Sequence, residues 1–126
     1  SVSITPSSTS SKILVFVDTW MGNSVASVRT YGQLVRGSTL IHLGDSAGSR
    51  SRASAFVWAE TTNGFYTAQQ TSLVELDSPS TTSSITYKYQ LRGRSGTATL
   101  NRAGRDDNAD WAPRLASTIT LMEIGA

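Results

Sequence analysis

The stretch Ile85-Thr86-Tyr87-Lys88-Tyr89-Gln90-Leu91-Arg92 alternates strictly between apolar and polar side chains. Because successive side chains of a β-strand point to opposite faces, its apolar residues line one face and its polar residues the other. One buried face and one solvent-exposed face are typical of an antiparallel strand that covers a core. The stretch therefore predicts a half-buried antiparallel strand, and it sets the fold class expected for the rest of the chain.

The remaining segments extend this pattern on both sides. Ile13–Val17 is a continuous apolar run rich in β-branched residues, which predicts a central strand buried on both faces. Further strands are predicted at Val25–Val35, Thr39–Leu43, Ala53–Ala59, Thr71–Leu76, Thr97–Asn101 and Ser117–Ile124. Gly37-Ser38 predicts a two-residue hairpin turn, and Asn63-Gly64 predicts a loop. Only Asp107–Leu115 leaves room for a single helical turn.

Short strands at this spacing are typical of a sandwich or a barrel. The chain has 126 residues and 13.5 kDa, which is the size of one domain with its own core. We therefore predict one all-β domain over residues 1–126, an antiparallel, jelly-roll-like β-sandwich of about eight strands.

Two similar loops lie between the predicted strands. Pro6–Ser11 and Pro79–Ser84 each begin with proline, continue with hydroxyl residues and precede a strand. They predict two equivalent loops at one end of the sandwich. Chance is the alternative, because the chain contains 20 Ser and 16 Thr.

Composition excludes several classes of protein. The absence of cysteine excludes a disulfide scaffold, a CxxC redox motif and cysteine-ligated zinc. The longest apolar run, Ile13–Val17, is far too short to cross a membrane, so no membrane insertion is predicted. The net charge is only +2, yet nine Arg stand against two Lys, and arginine is the residue that suits partly buried ion pairs at interfaces.

The string His42–Gly48 contains Gly-Asp-Ser, which resembles a hydrolase nucleophile loop. A Ser-His-acid triad needs a histidine placed to accept the serine proton, and His42 is the only histidine, four residues before Ser46. We therefore predict no catalytic residues and no enzymatic activity, with Asp45 capping a glycine-bounded turn.

Metal and cofactor sites are also not expected. One histidine without cysteine makes a zinc site rare, so no metal and no cofactor are predicted. The acidic run Asp106–Asp110 offers oxygen ligands for calcium, but it lacks the glycine and glutamate positions of an EF-hand loop. A solvated acidic turn is the plainer interpretation of that run.

The seven arginines between Arg50 and Arg114 raise the question whether the chain binds nucleic acid. Arg50/Arg52 and Arg92/Arg94 are spaced to share a strand face. A nucleic-acid-binding domain is typically distinctly basic and combines such residues with stacking aromatics. We therefore predict ion pairs between strands or between subunits, and no nucleic-acid partner.

The long loop Gly104–Arg114 is the candidate ligand- or partner-binding site. It combines an aromatic ring, carboxylates, an amide and a guanidinium, and long loops in small domains tend to be functional. The candidate residues are Arg105, Asp106, Asp107, Asn108, Asp110 and Trp111. We predict that they contact a glycan or a neighbouring subunit. In the alternative interpretation, Trp111 folds back into the core.

Three strings resemble a domain that recurs in virion structural proteins of tailed phages, including cyanophages and other marine phages. They are Val2–Val15, Leu76–Gln90 and Ala116–Ile124, with Thr99–Arg102 between the last two. Together they reach from residue 2 to residue 124 and occur in the family's order. That domain usually lies at the C-terminal end of fibre-like or capsid-attached proteins, so the chain is expected to belong to, or to be excised from, a longer virion protein.

The resemblance implies a non-enzymatic, trimeric β-sandwich exposed on the exterior of the particle. We expect a fibre-tip adhesion domain that forms a homotrimer and contacts other virion proteins. The glycan expected at the loop Gly104–Arg114 would then be a host-surface glycan. A capsid decoration protein that reinforces the shell is the first alternative, and a free carbohydrate-binding module is the second. Such a module would remain monomeric, whereas both virion roles imply a trimer.

Overall fold

The computed structural model describes residues 1–59 and 64–125, and in these residues it contains nine β-strands. They are β1 (Val2–Ile4), β2 (Lys12–Asn23), β3 (Arg29–Arg36), β4 (Thr39–Ile41), β5 (Ala55–Trp58), β6 (Gln69–Asp77), β7 (Ile85–Gly93), β8 (Ala98–Leu100) and β9 (Thr118–Ile124). A single 3₁₀ turn, Gly64–Tyr66, precedes β6. Part of the predicted loop at Asn63-Gly64, namely Asn63, lies outside the described residues.

The strands form two antiparallel sheets. In sheet A the order is β1-β7-β3-β4, and β5 also pairs with β3. In sheet B, β2 is central, with β6 on one side and both β9 and β8 on the other. The predicted all-β antiparallel sandwich is confirmed, with nine strands instead of about eight.

The core lies between the two sheets. Sheet B contributes Ile13, Val15, Val17 and Leu73, and sheet A contributes Leu34 and Tyr87. Burial of each such side chain contributes about 1.5–3 kcal/mol relative to exposure, so this cluster is the main source of stability. The β7 prediction is confirmed, because Tyr87 is fully buried while Gln90 and Arg92 are exposed.

The prediction that Ile13–Val17 is buried on both faces is wrong. Ile13, Val15 and Val17 are buried, but Phe16 between them is 38% exposed. The strand is central within sheet B, yet sheet B is an outer layer of a two-layer sandwich. Its second face is therefore open in the single chain.

Two boundary predictions also need correction. The strand predicted at Val25–Val35 begins only at Arg29, because Ser27 adopts a φ of 60° in the turn that links the sheets. Asp107–Leu115 contains bends and turns but no helical turn. The hairpin at Gly37-Ser38 is confirmed: Arg36 pairs with Thr39, and Gly37 has a φ of 58°, which glycine adopts without strain.

The two proline-led loops lie at the same end of the sandwich. Residues 5–11 join β1 of sheet A to β2 of sheet B, and residues 78–84 join β6 of sheet B to β7 of sheet A. Because Ile4 pairs with Ile85 and Ile13 pairs with Asp77, both crossings occur beside each other. The predicted equivalent placement of these loops is therefore present in the fold.

A polar cluster joins the sheets at this end. Arg36 of β3 donates to the Asp77 carboxylate of β6 at 2.8 and 3.0 Å, and the Tyr87 hydroxyl donates to it at 2.6 Å. Burial of the phenol, reinforced by the neighbouring Asp77 carboxylate, raises the pKa of Tyr87 well above its ordinary value. Tyr87 therefore stays a neutral donor, and the cluster satisfies its own buried polar atoms.

Candidate functional site

The loop Gly104–Arg114 follows β8 and is fixed at its start by a backbone contact. A Cβ on Gly104 would lie 1.8 Å from the Asn23 carbonyl oxygen at the end of β2. The next backbone amide, that of Arg105, donates to the Phe65 carbonyl oxygen at 2.7 Å. Glycine at position 104 therefore lets the loop lie directly on β2 and the 3₁₀ turn.

This anchoring brings two aromatic rings and a guanidinium together. The Tyr66 and Trp111 rings meet edge to face, with centroids 5.4 Å apart and planes at 68°. The Arg105 Cζ lies 5.2 Å from the Tyr66 ring centroid and 5.7 Å from that of Trp111. We call Tyr66, Arg105 and Trp111 the aromatic platform. Edge-to-face and cation–π contacts of this kind hold the rings in place.

The aromatic platform is open to solvent. Trp111 is 49% exposed, so the interpretation that this residue belongs to the core is wrong. Its indole instead packs beside Tyr66, a residue that the sequence did not single out. The only available signal was the adjacent pair Phe65-Tyr66, and nothing local in the sequence links that pair to a loop so far along the chain.

Two of the three carboxylates of the loop are engaged in ion pairs. Asp107 pairs with Arg105, and Asp106 pairs with Arg114 at 2.5 Å and more distantly with Arg102 at 3.8 Å. These contacts hold the loop, so Asp106 and Asp107 stabilise the platform in the free chain. Asn108 and Asp110 are exposed and take no part in these contacts. The role of all these residues in binding a ligand stays a prediction.

The acidic run does not gather into a metal site. Its ion-paired carboxylates face guanidinium groups. Within residues 1–59 and 64–125, no group of three or more His, Asp or Glu side chains converges as metal coordination would require.

His42 has an acidic partner that the sequence did not reveal. Its Nδ1 lies 2.6 Å from the Glu75 Oε2 across the sandwich end. The nearby Ser54 hydroxyl is held by the backbone, since it accepts from the Leu34 amide at 2.9 Å and donates to the Ile41 carbonyl at 3.4 Å. In the part of the chain that the structure describes, no hydrogen bond joins His42 to Ser46. The absence of catalysis stays a prediction.

A second concave surface lies on the outside of sheet A. This cleft has a volume of about 590 Å³, and we call it the arginine cleft. Its lining residues are Arg29, Tyr31, Ser49, Arg50, Ser51, Phe56, Arg92 and Arg94.

The sequence placed Arg92/Arg94 and Arg50/Arg52 in ion pairs. The prediction that these four arginines form ion pairs between strands is wrong for the described residues. The arginines that pair with carboxylates in those residues are Arg36, Arg102, Arg105 and Arg114. Pairing between subunits stays a prediction.

The outer face of sheet B is apolar. Strand register places Leu76, Leu14 and Met122 side by side, with Val74 beside Phe16 in the next row. We call these residues, together with Ile124, the apolar face. Phe16, Val74, Leu76, Met122 and Ile124 are between 38% and 55% exposed. A contiguous exposed apolar surface is typical of an interaction site, whereas scattered exposed residues are not.

No helix in the described residues combines the length and the apolar character needed to cross a membrane. Comparison of the chain with protein-family models, with curated proteins and with solved structures finds no match.

Proposed function

We propose that this chain is a non-enzymatic adhesion domain on the exterior of a tailed-phage virion, at the tip of a fibre. The proposal combines the resemblance of Val2–Val15, Leu76–Gln90 and Ala116–Ile124 to phage virion domains with one structural observation. That observation is the solvent-open aromatic platform on the loop Gly104–Arg114.

The aromatic platform has the chemistry of a saccharide contact. The half-exposed indole of Trp111 presents an apolar surface on which the C–H face of a sugar ring can lie. Asn108 and Asp110, on the same loop and exposed, supply an amide and a carboxylate for sugar hydroxyls. The ring and the guanidinium are already held by Tyr66 and Asp107, so little side-chain ordering is left for binding.

The apolar face supports self-association into a homotrimer. Two further copies of this chain are the occupants that we propose for it, arranged so that three apolar faces surround one axis. The apolar face itself contains no charged residue, and the charged residues Lys12 and Asp18 of β2 stand at its two ends. A fibre-tip domain is expected to be trimeric, and three copies of the apolar face around one axis would form the contact between its subunits.

Trp111→Ala is expected to weaken glycan binding roughly five- to 150-fold, because truncation of an aromatic anchor that is buried in a complex costs about 1–3 kcal/mol. Binding of the purified domain to an array of neutral and charged glycans measures the effect. Leu40→Ala is the matched control, since Leu40 is 42% exposed on the β3–β4 hairpin. Equal binding by both variants would show that the aromatic platform is not the contact.

A second candidate function, a capsid decoration protein, is favoured by the apolar face, which also suits a trimer seated on a shell. Immunogold labelling of phage particles with an antibody against this domain distinguishes fibre tips from capsid faces. Label on neither would contradict both virion roles.

We expect native mass spectrometry to find a trimer, three times the 13.5 kDa chain. Val74→Glu, at a side chain of the apolar face that lies beside Phe16 and is 55% exposed, is expected to convert the trimer to monomer because the interface would bury an unpaired charge. Leu40→Glu places the same charge on an exposed apolar residue outside that face and should leave the trimer intact. A wild-type monomer at micromolar concentration would instead favour the free carbohydrate-binding module.

A further inference from the structure

The arginine cleft is built on three neighbouring strands of sheet A. Register places Arg92 of β7, Tyr31 of β3 and Phe56 of β5 in one cross-strand row. Arg29 and Trp58 form the adjoining row, and Ser49–Ser51 bound the cleft from the loop before β5. Arg29 and Arg92 therefore project from strands, whereas Arg50 and Arg94 project from the adjoining loops.

Aromatic rings hold two of these guanidinium groups. The Arg29 Cζ lies 4.3 Å from the Trp58 ring centroid, and the Arg92 Cζ lies 5.5 Å from the Tyr31 ring centroid. Arg92 also donates to the Ser51 hydroxyl at 3.4 Å. A stacked guanidinium keeps its N–H edge free, and that edge matches the paired oxygens of a carboxylate or a sulfate.

Among the residues that the structure describes, no carboxylate lines the cleft. The five strands of sheet A contain no Asp or Glu at all, whereas the strands of sheet B contain Asp18, Glu75, Asp77 and Glu123. Four of the nine arginines line the cleft, and the other seven basic residues stand against nine acidic ones. The formal charge outside the cleft is therefore −2, and the positive field is local to it.

We propose that the arginine cleft binds an anionic saccharide, one that bears sulfate or carboxylate groups. Its volume of about 590 Å³ lies in the range of small-ligand sites. Ser49 and Ser51 offer hydroxyls to sugar hydroxyls. Tyr31 and Phe56, the latter 58% exposed, offer apolar surface to the ring. Nucleic acid fits less well, because a polyanion longer than the cleft would extend onto a surface whose net formal charge is negative.

This inference goes beyond the proposed function and does not rest on the aromatic platform. The two surfaces belong to different elements, since the cleft is carried by β3, β5 and β7 and the platform by the 3₁₀ turn and the loop after β8. Variants in one surface therefore test it without altering the other.

Isothermal titration calorimetry tests the proposal with three probes: a heparin-derived tetrasaccharide, tetragalacturonate and neutral maltotetraose. We expect binding of the sulfated or the carboxylated probe, whichever group the cleft prefers, and none of maltotetraose. Arg92→Gln and Arg94→Gln should each weaken that binding roughly tenfold, because each removes a charge-assisted contact. Lys88→Gln, which removes a cation from the same face of β7 outside the cleft, should change it by less than about twofold.

Four results would overturn the proposal. One is equal affinity of wild type, Arg92→Gln and Arg94→Gln for the anionic probes. Another is tighter binding of a single-stranded oligonucleotide than of either anionic probe, which would make the cleft a nucleic-acid site. The third is dissociation of the trimer by Arg92→Gln, which would assign these arginines to a neighbouring subunit. Loss of glycan binding only in Trp111→Ala would leave the proposed function standing and remove this site.

Discussion

Asp77→Ala is expected to lower the free energy of unfolding by about 3 kcal/mol, at the lower end of the range for removing one partner of a buried ion pair. The lower end applies because the side chain of Arg36 is 29% exposed and regains some hydration, whereas that of Asp77 is 9% exposed. The Tyr87 hydroxyl, fully buried, would also lose its acceptor. An unpaired buried donor adds its own desolvation cost.

The position of Asp77 explains why one residue has this effect. Its carboxylate joins β6 of sheet B to both β3 and β7 of sheet A, and Asp77 pairs with the core residue Ile13 on β2. The substitution therefore weakens the contact between layers as well as one strand. We expect a lower denaturant midpoint with an unchanged slope.

Urea unfolding at fixed protein concentration measures the change, since self-association makes stability depend on concentration. Asp45→Ala is the control, because Asp45 lies in an exposed loop, and it should change stability by less than about 0.5 kcal/mol. Replacing the whole cluster, with Arg36→Leu, Asp77→Leu and Tyr87→Phe together, should recover much of the loss. Equal stability of Asp77→Ala and Asp45→Ala would contradict the assignment of this cluster.

Gly104→Ala is the second large effect, and it acts on the fold and on the candidate site together. The added methyl would lie 1.8 Å from the Asn23 carbonyl oxygen and 2.3 Å from the carbonyl carbon, so backbone must move. Asn23 cannot yield easily, since its side chain is buried and donates to Thr30 and to the Ser95 carbonyl, each at 3.1 Å. We expect a loss of about 3 kcal/mol, at the upper end for overpacking.

Displacement of the loop should also separate Trp111 from Tyr66. Near-ultraviolet circular dichroism reports that aromatic contact, and thermal unfolding reports the stability. Gly44→Ala is the matched control, because the nearest atom to its added methyl, the Ala53 carbonyl oxygen, is 3.9 Å away. If Gly104→Ala kept both the wild-type spectrum and the wild-type melting temperature, the close packing of this loop on β2 would be wrong.

The sequence alone determined the features that depend on neighbouring residues. The alternation in Ile85–Arg92 determined a half-buried strand, and Gly37-Ser38 determined the hairpin, because strand geometry and turn conformation are local properties. The loop Gly104–Arg114 was also recognisable from its mixture of polar and aromatic residues. Strand boundaries were predicted less accurately. The strand β3 begins only at Arg29, because Ser27 in the preceding turn has a left-handed backbone conformation.

Only the tertiary structure decided which surfaces are open and which side chains meet. Apolar residues in Ile13–Val17 indicated burial, but whether a second layer covers Phe16 depends on the number of sheets. Spacing placed Arg92 and Arg94 near each other, but strand order put the strand carboxylates on the opposite sheet and left, within the described residues, a cleft of arginines without carboxylate partners. Tyr66 meets Trp111 because the chain returns to the same end of the sandwich. Contacts between distant segments follow from topology and register, and these are set by the burial of the whole core and not by any single stretch of sequence.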